Sequence, residues 1–149
     1  HLLGRHRHHL LHIAHGRTAS GERFTQGRVR QHLAVRVDGK LLWLEQGTLL
    51  GGSAAMQGPL GLAGHSVCAN LVCVGGPLKR DVLEQLRNIC APLAADEGQF
   101  GATQMKSLIT ARFLGNSSEV ARRVMLAAWQ VLRPALLARE ATELRIWNT

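Results

Sequence analysis

The side chains able to coordinate metal or move protons are concentrated at one end of this sequence. Six of its eight histidines, at positions 1, 6, 8, 9, 12 and 15, fall in the first fifteen residues, and imidazole is a good ligand for nickel, copper and zinc. Their spacing fits no single metal geometry. Residues 1–15 are therefore read first as a His/Arg-rich terminal segment, disordered or non-native, and second as a metal-binding tract. Cys68, Cys73 and Cys90 form no CxxC pair, which argues against a disulfide framework and a thiolate zinc site and favours a reducing, cytoplasmic compartment. Ser20, in Ala19-Ser20-Gly21-Glu22, carries a nucleophile's hydroxyl, but no base can be named for it and it reads as a turn residue. Glu22 is the one acid in residues 1–36; it suits an ion pair with Arg17 or Arg23, and otherwise a metal or partner contact.

Motifs that would organise such groups into a catalyst are missing. There is no GxSxG elbow, no phosphate-binding P-loop, no HExxH and no complete GxGxxG behind a strand, so hydrolase, NTPase, zincin and dinucleotide-binding readings lose their support. With 46% apolar and 19% charged residues in 149, the chain can fold as one domain, which excludes general disorder and collagen-like structure. Its net charge is +8, and seven arginines in residues 1–36 supply most of it. Clustered cations suit phosphates, so a small basic nucleic-acid-binding domain is the alternative reading. Aromatic content of 4%, without a tyrosine, leaves little for base stacking, and an acidic protein partner is served equally well. The longest uncharged run, 46–78, is broken by eight glycines and two prolines; it predicts turns and short strands, and no membrane span. The opening residues lack a clean apolar centre and do not read as a signal peptide.

The elements that would position these groups follow from periodicity. From Arg28 to Val37, Val29, Gln31, Leu33, Val35 and Val37 alternate with Arg28, Arg30, His32, Ala34 and Arg36, predicting a half-buried strand with a basic outer face. Asp38-Gly39 is a two-residue hairpin signal, so Val29–Val37 is expected to pair with Lys40–Gln46. Ser66–Val74 reads as a strand buried on both faces, with Cys68 and Cys73 as core residues on opposite sides. Helical spacing of Val82, Leu83, Leu86, Ile89, Cys90 and Leu93 predicts a helix over 78–91, opened by Pro77 and ended or bent by Pro92. Residues 95–101 read as a loop and 102–114 as strand. Asn116 is placed to cap a second helix whose stripe is Val120, Val124, Ala127, Ala128 and Val131, with Trp129 alongside and Pro134 interrupting. The fold class is α+β: a β-rich scaffold of mainly antiparallel strands with two helices in the C-terminal half.

Taken in order, Gly16-Arg17-Thr18-Ala19-Ser20-Gly21-Glu22-Arg23-Phe24, Asp38-Gly39, Leu44-Glu45, Ala111-Arg112-Phe113-Leu114-Gly115 with Ser117-Ser118-Glu119, then Trp129, Leu132-Arg133-Pro134 and Arg145-Ile146-Trp147-Asn148-Thr149 resemble the urease accessory protein D family, also called H. The resemblance covers 16–149, as the C-terminal portion of a domain about twice this length, and does not include the His-rich start. It implies a non-enzymatic chaperone for metallocentre assembly. Such a scaffold binds apo-urease and the accessory F and G proteins for GTP-dependent nickel insertion, with accessory protein E as nickel donor. It would hold no tight cofactor and only transient nickel, for which Glu22 and Glu45 are the acids in matching motifs. No membrane is implied, and nucleic acid is not expected. Arg17, Ser20, Gly21 and Glu22 belong to the motif as partner-binding or structural residues, and Arg112, Arg122, Arg123 and Arg133 are the expected contacts for the F protein. A solvated amphipathic face is the other reading of those arginines.

Overall fold

The computed structural model describes residues 9–14, 24–75 and 77–137, with 9–14 described as backbone. Six strands and three helices follow in the order β1 (His9–Ala14), β2 (Arg28–Val37), β3 (Lys40–Leu50), α1 (Ala54–Gln57), β4 (Val67–Val74), α2 (Arg80–Ala94), β5 (Gly98–Met105), β6 (Leu108–Gly115) and α3 (Ser118–Leu137). All strand pairs are antiparallel, so the α+β, β-rich class holds, with α2 and α3 as the two C-terminal helices. The chain divides into two compact units, one combining β1 with everything from Val67 onward and one spanning Gly16–Ser66.

The larger unit is a four-stranded sheet of order β1-β4-β6-β5 with α2 and α3 on one face. Alternation along the strands decides which residues meet the helices. Val67, Ala69, Leu71 and Cys73 of β4 and Ile109, Ala111 and Phe113 of β6 join Leu86, Cys90 and Ala94 of α2 in one buried core. From α3 the same core receives Val124, Met125, Ala128, Trp129, Leu132 and Leu136. On the other sheet face Asn70, Val72, Val74, Leu108 and Thr110 are also buried, as the apolar density of β4 predicts. Cys68 departs from its core expectation: it is half-buried, near the end of its strand.

Several boundaries differ from the sequence reading. β3 continues past Gln46 to Leu50, and the glycine-rich stretch that follows contains the single-turn α1. Helix α2 begins at Arg80, after Pro77, because Lys79 still has extended backbone; Pro92 sits in its last turn, where only one bond is forfeited and the helix closes at Ala94. Residues 98–101, read as loop, belong to β5. The β5–β6 turn, Lys106-Ser107, lacks Gly and Asn, and Lys106 itself adopts φ 53°, so no turn signal marked the hairpin. Ser117, rather than Asn116, caps α3: its hydroxyl accepts from the Val120 N–H at 3.2 Å. Pro134 does not interrupt α3, which runs on to Leu137, because Leu132 and Leu136 are anchored in the core while Pro134 is exposed. The carbonyl of Gln130, which Pro134 leaves without its helical donor, is also on the exposed side, where water can reach it.

Burial pushes the Cys73 and Cys90 thiols from the ordinary 9.0 up to about 12. An unfolded thiol ionises near 9.0 while these stay protonated, so their contribution is full below that value and is lost as pH rises toward 12. The urea midpoint is expected to fall between about pH 9 and 11, and a Cys73→Ala/Cys90→Ala double variant to lack that part of the fall. At pH 8 a thiol reagent should label neither residue until denaturant is added.

Candidate functional site

Among the described residues no three of His, Cys, Asp and Glu lie together as a metal centre. The candidate site is therefore a surface, and in the larger unit it is built on α3. That helix forms because Ser117 caps it, Glu119 complements its N-terminal dipole, and its apolar residues recur at helical spacing over the sheet. Anchoring that stripe turns the opposite side outward, where Arg122 and Arg123 are exposed. Arg122, Leu126, Gln130 and Arg133 follow one another at four, four and three residues and so share a stripe about 16 Å long. Arg133 is half-buried, with its guanidinium 5.7 Å from the Trp129 ring centroid, a cation–π contact that orients the charge.

Arg112 does not join this set. Its neighbours Ala111 and Phe113 are turned into the helix-covered core, so alternation puts Arg112 on the opposite sheet face. There it is exposed, directly opposite Asn70 on β4 and Gly101 on β5. Asn70 is buried and its Oδ1 has no hydrogen-bond partner, a polar position in a strand otherwise built of apolar residues and cysteines. One strand turn away, the hydroxyls of Thr103 and Thr110 share a 2.9 Å hydrogen bond. Sequence reasoning missed Asn70 and Thr110 because an isolated polar residue in an apolar run carries no periodic signal. It also missed Arg87, whose Nε and Nη2 donate to the Ala102 carbonyl at 3.0 and 2.7 Å and tie α2 to β5.

In the smaller unit, Asp38 and Gly39 have φ values of 48° and 78°, the geometry their turn signal demands, and β2 pairs β3 as expected. Glu45 is half-buried on the same hairpin face as Leu33 and Val35, where its Oε2 accepts from the Trp43 indole N–H at 3.4 Å. Its carboxylate thus has a place in the hairpin independent of any metal. Arg17, Ser20, Gly21 and Glu22 lie outside the described residues, as do Arg145–Thr149.

These surfaces belong to a chain whose residues 12–148 match the family model described as UreD urease accessory protein. The chain belongs to the UreD urease accessory protein family. It is 48% identical over 137 residues to urease accessory protein UreD of Nitrosospira multiformis, covering 92% of this chain and 49% of that relative. With UreD of Janthinobacterium sp. (strain Marseille) the identity is 51%, over 92% of this chain and 46% of the relative. UreD of Pseudomonas fluorescens (strain Pf0-1) is 42% identical over the same share of the chain and 47% of its own length. The chain spans about half the length of these curated relatives, each of which is named an accessory protein. The family match starts at residue 12, within the His-rich run and inside β1, whose six residues pair with β4 from His9↔Cys73 to Ala14↔Cys68. No helix among the described residues is long and apolar enough to cross a membrane.

Proposed function

We propose that this chain works in urease maturation as a non-enzymatic chaperone in the cytoplasm. It is a scaffold that holds apo-urease and the accessory F and G proteins while GTP hydrolysis by G drives nickel into the urease active site. The observation that carries this reading is the UreD family match along residues 12–148. The fold supports it, because a sheet backed by two helices gives fixed, exposed side chains on α3 for a partner to grip. In this reading residues 16–149 are the C-terminal portion of the family's domain, Arg122, Arg123 and Arg133 face the F protein, and Arg112 serves a second contact. Nickel is cargo in transit, with Glu22 and Glu45 as the acids that meet it.

The test is co-expression with accessory protein F and apo-urease, followed by capture of this chain in moderate salt. Co-purification of both partners is the expected result. A chain that is folded and well expressed yet retains neither would overturn the proposal.

A further inference from the structure

The outer face of the β2–β3 hairpin has no place in that account. Arg28, Arg30, His32 and Arg36 alternate along β2 on this face and all are exposed. Across the hairpin they are flanked by Leu50, Leu44 and Leu41, register partners of Arg28, Ala34 and Arg36, which remain 51%, 49% and 46% exposed. No acid lies on this face: Asp38 is in the turn, and Glu45 is opposite Leu33 on the other side. Among the described residues the side chains of Arg28, Arg30 and His32 make no hydrogen bond or ion pair, and that of Arg36 makes only a 3.4 Å bond to the Gly39 carbonyl. Among the described residues β2 pairs with β3 alone, and no other strand of theirs lies along its second edge.

From these observations the geometry points to a docking strip for an extended acidic polypeptide segment, which adds as a strand along the edge of β2 away from β3 and sets its carboxylates beside the arginines. The spacing fits that occupant. Side chains on one face of a strand repeat about every 6.6 Å, so acids at every second residue of the incoming strand keep step with Arg28, Arg30 and His32. The row to Arg36 extends over about 27 Å, long enough to read several acids at once. Charge alone would be explained as protection of an edge against aggregation. Three half-exposed leucines among the cations are not, because edge protection removes apolar surface and a contact strip keeps it. Nucleic acid fits less well: the hairpin's one aromatic, Trp43, pairs with Val35 on the other face, which leaves no ring for a base to stack on. This inference does not depend on which protein supplies the segment, and it holds or fails independently of urease.

Fluorescence anisotropy with the full 149-residue chain tests it, using three labelled probes at about 150 mM salt. They are a twelve-residue peptide alternating Asp or Glu with Val or Leu, a peptide of equal composition with its acids in one block, and single-stranded DNA. The alternating peptide is expected to bind about tenfold or more tightly than the block peptide, because only it keeps register with the arginines. An Arg28→Glu/Arg30→Glu variant, with unchanged far-ultraviolet circular dichroism, is expected to lose that preference. Equal binding of the two peptides, no binding of either, an unaffected variant, or tighter binding of DNA would each overturn the inference.

Discussion

Phe113→Ala is expected to remove about 3–5 kcal/mol of folding stability, a large share of the roughly 5–15 kcal/mol that holds a domain folded. Phe113 is fully buried in the C-terminal half of β6, with Ala69 of β4 and Phe100 of β5 as register partners, and its ring faces the core beneath the helices. The lost transfer energy of the ring is one part of the cost; the void left between sheet and helices is the other, since the backbone on both sides is held by strand pairing. Gly98 and Gly115, opposite each other at the base of the hairpin, add to this rigidity. A Cβ at either would run into neighbouring backbone, and one at Gly115 would also meet the Phe113 ring, so the strand cannot shift to close the gap. Phe113→Leu, which keeps much of the volume, should cost less than about 1.5 kcal/mol. Urea denaturation with an unchanged slope measures both, and a loss under about 1 kcal/mol for the alanine variant would mean that the ring is not central to the core.

Arg122→Glu/Arg123→Glu is expected to weaken capture of accessory protein F by about a hundredfold, near 2.7 kcal/mol. Both side chains are on the outside of α3, so reversing them leaves the buried stripe intact and should hold the unfolding midpoint within a small margin. The effect arises because a docked acidic group would be repelled, and because rim arginines steer encounter as well as holding it. Calorimetric titration with F protein at fixed salt reads the affinity, with Lys106→Glu at the β5–β6 turn as the control of equal charge sign but different location. If affinity is unchanged while the wild-type chain still co-purifies with F, the outer face of α3 is not the docking surface of the proposed complex.

How far the sequence could be read depended on whether the deciding interaction was local. The turn and central pairing of the β2–β3 hairpin were marked, because Asp38-Gly39 satisfies its own φ requirement and alternation places Leu33 and Val35 on the buried side; its outer end was not, since β3 runs past Gln46 to Leu50 and Val29 stays 48% exposed. Helices α2 and α3 were visible from their apolar spacing, though not their ends: Pro92 and Pro134 look like stops until core anchoring on either side outweighs one missing hydrogen bond. The exposure of Ile89 and Leu93, both 40%, was not foreseen, since a stripe's width does not say how much of it the sheet can cover. The β5–β6 turn was silent because Lys106 takes a left-handed φ that its residue type does not announce.

The sequence by itself determined the α+β class, the hairpin, the presence of two C-terminal helices and, through motifs in a fixed order, the family. Tertiary structure alone decided the sheet order β1-β4-β6-β5, in which β1 pairs with a strand more than fifty residues away. It also decided that Arg112 lies on the opposite side of the sheet from Arg122 and Arg123. Periodicity states that a strand has two faces and a helix one apolar stripe, but not which neighbour claims them. That choice is made by the packing of side chains distant in sequence, which seats Ala111 and Phe113 under the helices and thereby turns Arg112 away from them.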